Sequence, residues 1–282
     1  MNILPVNAWL RLFRPWNAAI AAAAVWVGWA CLGTRPLGPP EWQLALWGSI
    51  AMFLLVAAGN ADNDAVDAET DRVNRPRRPI VSGAVSRGAA RAAAFALYAA
   101  GILAAWIGTP VHGMLAAAMA GLLLAYNRSL KGTPVAGNLV IALLCALAVW
   151  FTEFPLPPRG ALAAATFAFL ATFARELVKD AEDVTGDRAA GLRTLAVVSG
   201  TPTARKLAFA STVVLLALLP APMLMGYGWP YAAVAALLAG PALAPLLGEL
   251  AKPDANFARA QKLLKLLMLA GMVALWAGTL GR

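Results

Sequence analysis

ALWGSIAMFLLVAAGNADNDAVDAETDRVNRPRRPIVSG, residues 45–83, decides how the chain folds. Its first seventeen residues carry no charge, then five acids fall within ten positions (Asp62, Asp64, Asp67, Glu69 and Asp71), followed by Arg72, Arg75, Arg77 and Arg78. The layout recurs at 162–195, LAAATFAFLATFARELVKDAEDVTGDRAAGLRTL, where an apolar run again ends in clustered acids and bases. An apolar helix long enough to enter a bilayer, ending abruptly in charge, marks a membrane boundary.

The rest of the sequence agrees. Of 282 residues, 61% are hydrophobic and only 13% charged, and the mean hydropathy is +0.68. A soluble domain of this length needs more polar surface than that. The pattern predicts an all-α, polytopic membrane protein in a single domain, 1–282, with about nine spans: 16–33, 43–61, 88–108, 111–127, 134–152, 160–178, 205–224, 229–248 and 262–280. Proline and glycine mark the breaks at 35–40, 109–110, 155–160 and 226–230. About 20 of the 23 Lys and Arg residues fall at the N-terminus or after spans two, four, six and eight, leaving Arg35, Arg159 and Arg282 on the other side. The positive-inside rule then puts the N-terminus and both acidic motifs in the cytoplasm and the C-terminus outside. Arg11 and Arg14 before an apolar run resemble a signal peptide. The bulky Trp29 stands where cleavage needs small residues, so the run reads as the first membrane helix. The net charge of +9 belongs to these loops and to anionic headgroups, not to nucleic acid. Cys31 and Cys145 show no CxxC spacing, and the single His112 excludes a metal site built on several histidines.

Ten of the fourteen acids lie in the two motifs. Asp64, Asp67 and Asp71 stand at i, i+3 and i+7, and Asp180, Asp183 and Asp187 repeat those intervals. Such positions share one helix face, with Asn63 joining the first stripe four residues before Asp67. Carboxylates stacked this way repel unless a cation sits among them. Hard oxygen donors in this number suit Mg²⁺ shared with substrate phosphates. Two facing clusters could therefore hold a diphosphate. The plainer alternative is a solvated loop whose acids pair with local arginines, and matched spacing in two places weighs against it. The bases make the region competent for phosphate: Arg72, Arg75, Arg77 and Arg78 at the first motif, Arg175, Lys179, Arg188 and Arg193 at the second. A third charged loop, YNRSLKGTPVAGN at 126–138, offers Tyr126, Arg128 and Lys131, and Arg14 and Asn17 open the first span.

These words resemble the UbiA-type intramembrane prenyltransferases. NDAVDAETD is similar to their NDxxDxxxD motif and KDAEDVTGD to their DxxDxxGD, with RPWN at 14–17, Tyr126 to Lys131 and GN at 137–138 in the right order. Asn127 stands where serine is expected. Within the superfamily the wording is most similar to the archaeal-type digeranylgeranylglyceryl phosphate synthases. The resemblance implies nine helices around a central cavity with cytoplasmic caps, and Mg²⁺-dependent catalysis. It implies that Asn63, Asp67, Asp71, Asp183 and Asp187 bind Mg²⁺-diphosphate, that Asp64 and Asp180 assist, and that Arg14, Asn17, Arg72, Tyr126, Lys131 and Lys179 contact the diphosphate or orient its ligands.

The expected reaction is ionisation of an allylic diphosphate, with preorganised charge at the leaving group and an apolar interior that keeps water from the cation. The partners expected are a polyprenyl diphosphate, a lipid or aromatic acceptor, and membrane lipids. The preferred expectation is transfer of a geranylgeranyl group to geranylgeranylglyceryl phosphate in ether-lipid synthesis, with an aromatic acceptor of quinone or pigment biosynthesis as the alternative. No general base stands out, and His112 is expected to be dispensable. A cation-coupled transporter would place such acids near mid-membrane on broken helices, not beside bases at span ends. The DxxDGxxAR motif of CDP-alcohol phosphotransferases is absent.

Overall fold

A computed structural model describes residues 5–31, 39–155 and 160–280. The breaks expected at 35–40 and 155–160 fall largely outside these residues, as do Arg35, Arg159 and Arg282. All regular structure among the described residues is helical. In chain order the helices are α1 (Pro5–Phe13), α2 (Pro15–Ala30), α3 (Pro39–Val66), α4 (Ala68–Asn74), α5 (Arg87–Gly108), α6 (Pro110–Ala125), α7 (Ala136–Trp150), α8 (Leu162–Glu182), α9 (Val184–Ala189), α10 (Leu195–Ser199), α11 (Thr201–Leu218), α12 (Ala221–Leu224), α13 (Trp229–Val234), α14 (Gly240–Ala251) and α15 (Phe257–Thr279). A π-turn, Tyr126–Leu130, extends α6, and a second, Ala235–Ala239, joins α13 to α14.

Among the described residues, seven segments are long and apolar enough to cross a bilayer: Trp42–Val66, Arg87–Gly108, Pro110–Leu130, Ala136–Glu153, Thr201–Leu224, Trp229–Ala251 and Phe257–Thr279. They coincide with seven of the nine expected spans, so the count of nine is not confirmed among the described residues. The other two differ for physical reasons. The described part of the first is α2, only 16 residues long. The sixth is α8, apolar to Ala174 but charged thereafter at Arg175, Glu176 and Lys179. Only 33% of the most apolar stretch of α5 is buried inside the protein. Its outward side presents Phe95, Leu103, Trp106 and Ile107. An apolar helix with so much uncovered surface requires lipid.

The chain forms two compact units. The first holds the described residues through Trp26 and from Pro39 to Leu130. Here α3 packs along α5, and Gly101 permits the approach, since a Cβ there would lie 3.1 Å from Leu55 Cδ2. Amphipathic α1 covers the charged end of α3, burying Ala8 and Leu12 against Ala61 and Ala65. Ser86 caps α5 by accepting from Ala89 N at 3.1 Å. Thr109 caps α6 at the other end of α5, and its hydroxyl lies 2.6 Å from Nδ1 of buried His112. His112 is thus about 33 Å of helix from the acidic motif, at 1.5 Å per residue along α5.

The second unit holds Val27–Cys31 and the residues from Lys131 onward. It is built around α8, which is flanked by α7, α11 and α15 and buries side chains from Ala163 to Ala181. Gly28 is required where the chain enters this unit: a Cβ there would lie 1.8 Å from the Val149 carbonyl oxygen.

Candidate active site

In the first unit α3 carries Asn60, Asn63 and Asp64 on its last two turns and stops at Val66. Asp67 stands at the break with φ −80° and ψ 4°, after which α4 begins. That conformation is sparsely populated and common among active-site residues. The hydrogen-bond ladder nevertheless continues, Asp67 N donating to Asn63 O and Asp71 N to Asp67 O, both at 2.8 Å. Asn63, Asp67 and Asp71 therefore remain stacked, and Asn63 Nδ2 donates to Asp67 Oδ2 at 2.9 Å.

An arginine also stands among these acids. Arg78 Nη1 donates to Asp64 Oδ1 at 2.8 Å and also pairs with Asp71. Arg14 pairs with Asp64 from the other side, so a carboxylate with a side chain only 2% exposed is held by two guanidinium groups. Arg14 lies between α1 and α2 with φ 49°. Left-handed backbone at a non-glycine residue costs on the order of 1–3 kcal/mol and persists only where its surroundings fix it. Asn60 helps: its Oδ1 accepts from Arg14 Nη1 at 3.4 Å, and its Nδ2 donates to Phe13 O at 3.1 Å.

The second unit repeats the backbone with different partners. α8 ends at Glu182, Asp183 stands at the break with φ −88° and ψ 5°, and α9 follows. Asp183 N donates to Lys179 O and Asp187 N to Asp183 O, each at 2.9 Å. Lys179 occupies the position that Asn63 holds in the first motif, with Nζ 3.6 Å from Asp183 Oδ2. Asp180 accepts from Asn138 Nδ2 at 2.8 Å, and Asp187 from Thr194 Oγ1 at 3.3 Å. Arg193 N donates to Gly132 O at 2.9 Å, tying the segment beside Lys131 to the one after the motif. Burial pushes both the Asp71 and Asp187 carboxyls above the usual carboxylate range. Arg78 opposes this at Asp71 and Lys179 at Asp187.

The other candidates fall as follows. Arg72 turns to exposed Glu69 at 2.9 Å rather than to a motif aspartate. Asn17 lies exposed on the first turn of α2, and Tyr126 is half-buried at the head of the π-turn. Asn60, Thr194 and Glu176 were not expected at the site, and Arg78, Asp62 and Asn138 were noted in the sequence without these pairings. Glu176 is buried on α8, one turn before Asp180, and accepts from Arg175 Nη1 at 2.7 Å. Its signal in the sequence was an acid beside Arg175 at the charged end of an apolar run.

Among the described residues, no three His, Cys, Asp or Glu side chains converge into a cage able to hold a metal ion alone. The donors present are amide and carboxylate oxygens, with Asn63 and Asp67 in contact and Asp71 one turn on. That set fits Mg²⁺, which keeps several waters and is held by one or two carboxylates together with substrate phosphates.

Acid and base clusters at the ends of apolar helices, in an all-helical membrane protein, are the apparatus of an intramembrane transferase. The chain belongs to the UbiA prenyltransferase family, whose pattern matches residues 18–278, and it is an intramembrane prenyltransferase. A digeranylgeranylglyceryl phosphate synthase of Methanopyrus kandleri is 38% identical over 279 residues, covering 98% of this chain and 100% of the relative. The fold is similar to that of an apo UbiA homolog from Aeropyrum pernix K1, with TM-score 0.75, 21% identity, and coverage of 95% of this chain and 98% of that one. It is also similar to a UbiA homolog from Archaeoglobus fulgidus bound to GPP and Mg²⁺, with TM-score 0.71, 18% identity, and coverage of 95% and 99%.

Proposed function

We propose that this chain transfers a geranylgeranyl group from its diphosphate to geranylgeranylglyceryl phosphate, a step of ether-lipid synthesis, and that residues 1–282 act as one catalytic domain. The observation that carries this reading is the repeated face of carboxylates at two matched helix breaks, in a chain 38% identical to a synthase of that name. On this proposal Asn63, Asp67, Asp71, Asp183 and Asp187 hold Mg²⁺, which when bound supplies Lewis-acid neutralisation of the leaving diphosphate. Asp64 and Asp180 brace the two motifs. Arg14, Asn17, Arg72, Tyr126, Lys131 and Lys179 bind or orient the diphosphate, and Arg78 joins them by fixing Asp64 and Asp71.

In the reaction the allylic C1–O bond breaks and the diphosphate departs with the electron pair. The acceptor hydroxyl oxygen bonds to C1, and its proton passes to a motif carboxylate or to the released diphosphate. Preorganised charge at the leaving group lowers the barrier, with each such contact worth roughly 10²–10³-fold. The charge ladder supports a cytoplasmic N-terminus, cytoplasmic motifs and an external C-terminus. The test is mass analysis of lipid products from purified protein, Mg²⁺ and a panel of prenyl diphosphates, with glyceryl phosphate lipid and aromatic acceptors offered separately. A prenylated glyceryl phosphate lipid is expected. Product from the aromatic acceptor alone would replace this acceptor assignment.

A further inference from the structure

Asp62 has no place in the motif chemistry. It lies roughly 140–200° around α3 from Asp64, Asp67 and Asp71, at 100° per residue, and so faces away from their stripe. It is nonetheless an acid at 0% exposure, which is costly unless it is fully engaged. Its partners come from the π-turn at the end of α6. Asn127 Nδ2 donates to Asp62 Oδ2 at 3.0 Å and to Gly59 O at 3.2 Å. Arg128 Nη2 approaches Asp62 Oδ1 at 3.4 Å, with its guanidinium 5.9 Å from the Phe95 ring centroid. The departure at Asn127 thus has a physical reason: a carboxamide reaches a buried acid and a backbone carbonyl together. π-turns inside helices are frequent at functional sites, and this one opens on Tyr126.

We infer that Asp62, Asn127 and Arg128 form a positioning cluster that locks the π-turn and so aims Tyr126 at the prenyl diphosphate. The inference rests on the proposed diphosphate chemistry. It is tested by steady-state kinetics of the full-length protein with geranylgeranyl diphosphate and geranylgeranylglyceryl phosphate varied in turn. Asn127→Asp sets two buried carboxylates against each other and should raise KM for the diphosphate on the order of tenfold, as for a directly coupled pair. KM for the acceptor should not change. The double variant Asp62→Asn with Asn127→Asp restores an amide facing a carboxylate, though not the bond to Gly59 O, and should recover part of that loss. If Asn127→Asp does not accumulate in membranes, Asn127→Ala should give a smaller rise confined to the same KM. A swap no better than the single variant, or equal changes in both KM values, would overturn the positioning role. Asp67→Ala is assayed in parallel. Loss of turnover there, with wild-type kinetics for the Asn127 variants, defeats this inference alone, whereas full turnover in Asp67→Ala defeats the proposed function.

Discussion

The two acidic motifs share a backbone and differ in how their charge is balanced. Each runs to the end of a membrane helix, breaks at its central aspartate with nearly the same φ and ψ, and carries its hydrogen-bond ladder through the break to a third acid. In the first motif Asp64 is answered by full charges, Arg14 and Arg78. Its counterpart Asp180 takes a hydrogen bond from the neutral amide of Asn138. Conversely, the residue ahead of the first motif's acids is neutral Asn63, and that ahead of the second's is Lys179. On the proposed function the common geometry serves a common ligand chemistry, while the unlike partners give the motifs unlike shares in binding and bracing.

The largest expected effect tests what the motifs share. Asp67→Ala and Asp183→Ala should each abolish turnover, measured as product lipid, despite their different surroundings. Near-normal rates in both would sink the assignment. Lys179→Asn makes the second motif mimic the first and, by removing a proposed diphosphate contact, should lower turnover roughly 10²–10³-fold. Next comes the difference in charge balance. Arg78→Ala leaves Asp64 and Asp71 short of a cation and should destabilise the protein by about 3–5 kcal/mol, as for a broken buried ion pair. Asn138→Ala removes one hydrogen bond and should cost only about 1–3 kcal/mol. Thermal unfolding in detergent compares the two, and equal losses would erase the distinction. His112→Ala should be the mildest, leaving activity within about threefold, since the side chain serves a helix cap worth about 1 kcal/mol.

Much of this was legible because it is local. The i, i+3, i+7 spacing placed the aspartates on one face, and the apolar runs located the spans. What escaped is long-range. Arg78 looked like one more basic anchor, yet the turn through Pro79 and Val85, closed by Val85 N to Pro79 O at 3.1 Å, accompanies its return to Asp64 and Asp71. Asp62 and Asn127 lie 65 residues apart and Asn138 and Asp180 lie 42 apart, so no periodicity links them. At α8 the charges that make a site also dilute a hydrophobic window. Arg72, adjacent to Asp71 in sequence, turned outward because neighbouring helix positions point about 100° apart.

Calorimetric binding of geranylgeranyl diphosphate to the purified wild type, Asp67→Ala and Asp183→Ala, with Mg²⁺ and with EDTA, tests the central claim most directly. Tight binding should require both the metal and both aspartates. Full affinity in EDTA, or after loss of either carboxylate, would contradict it.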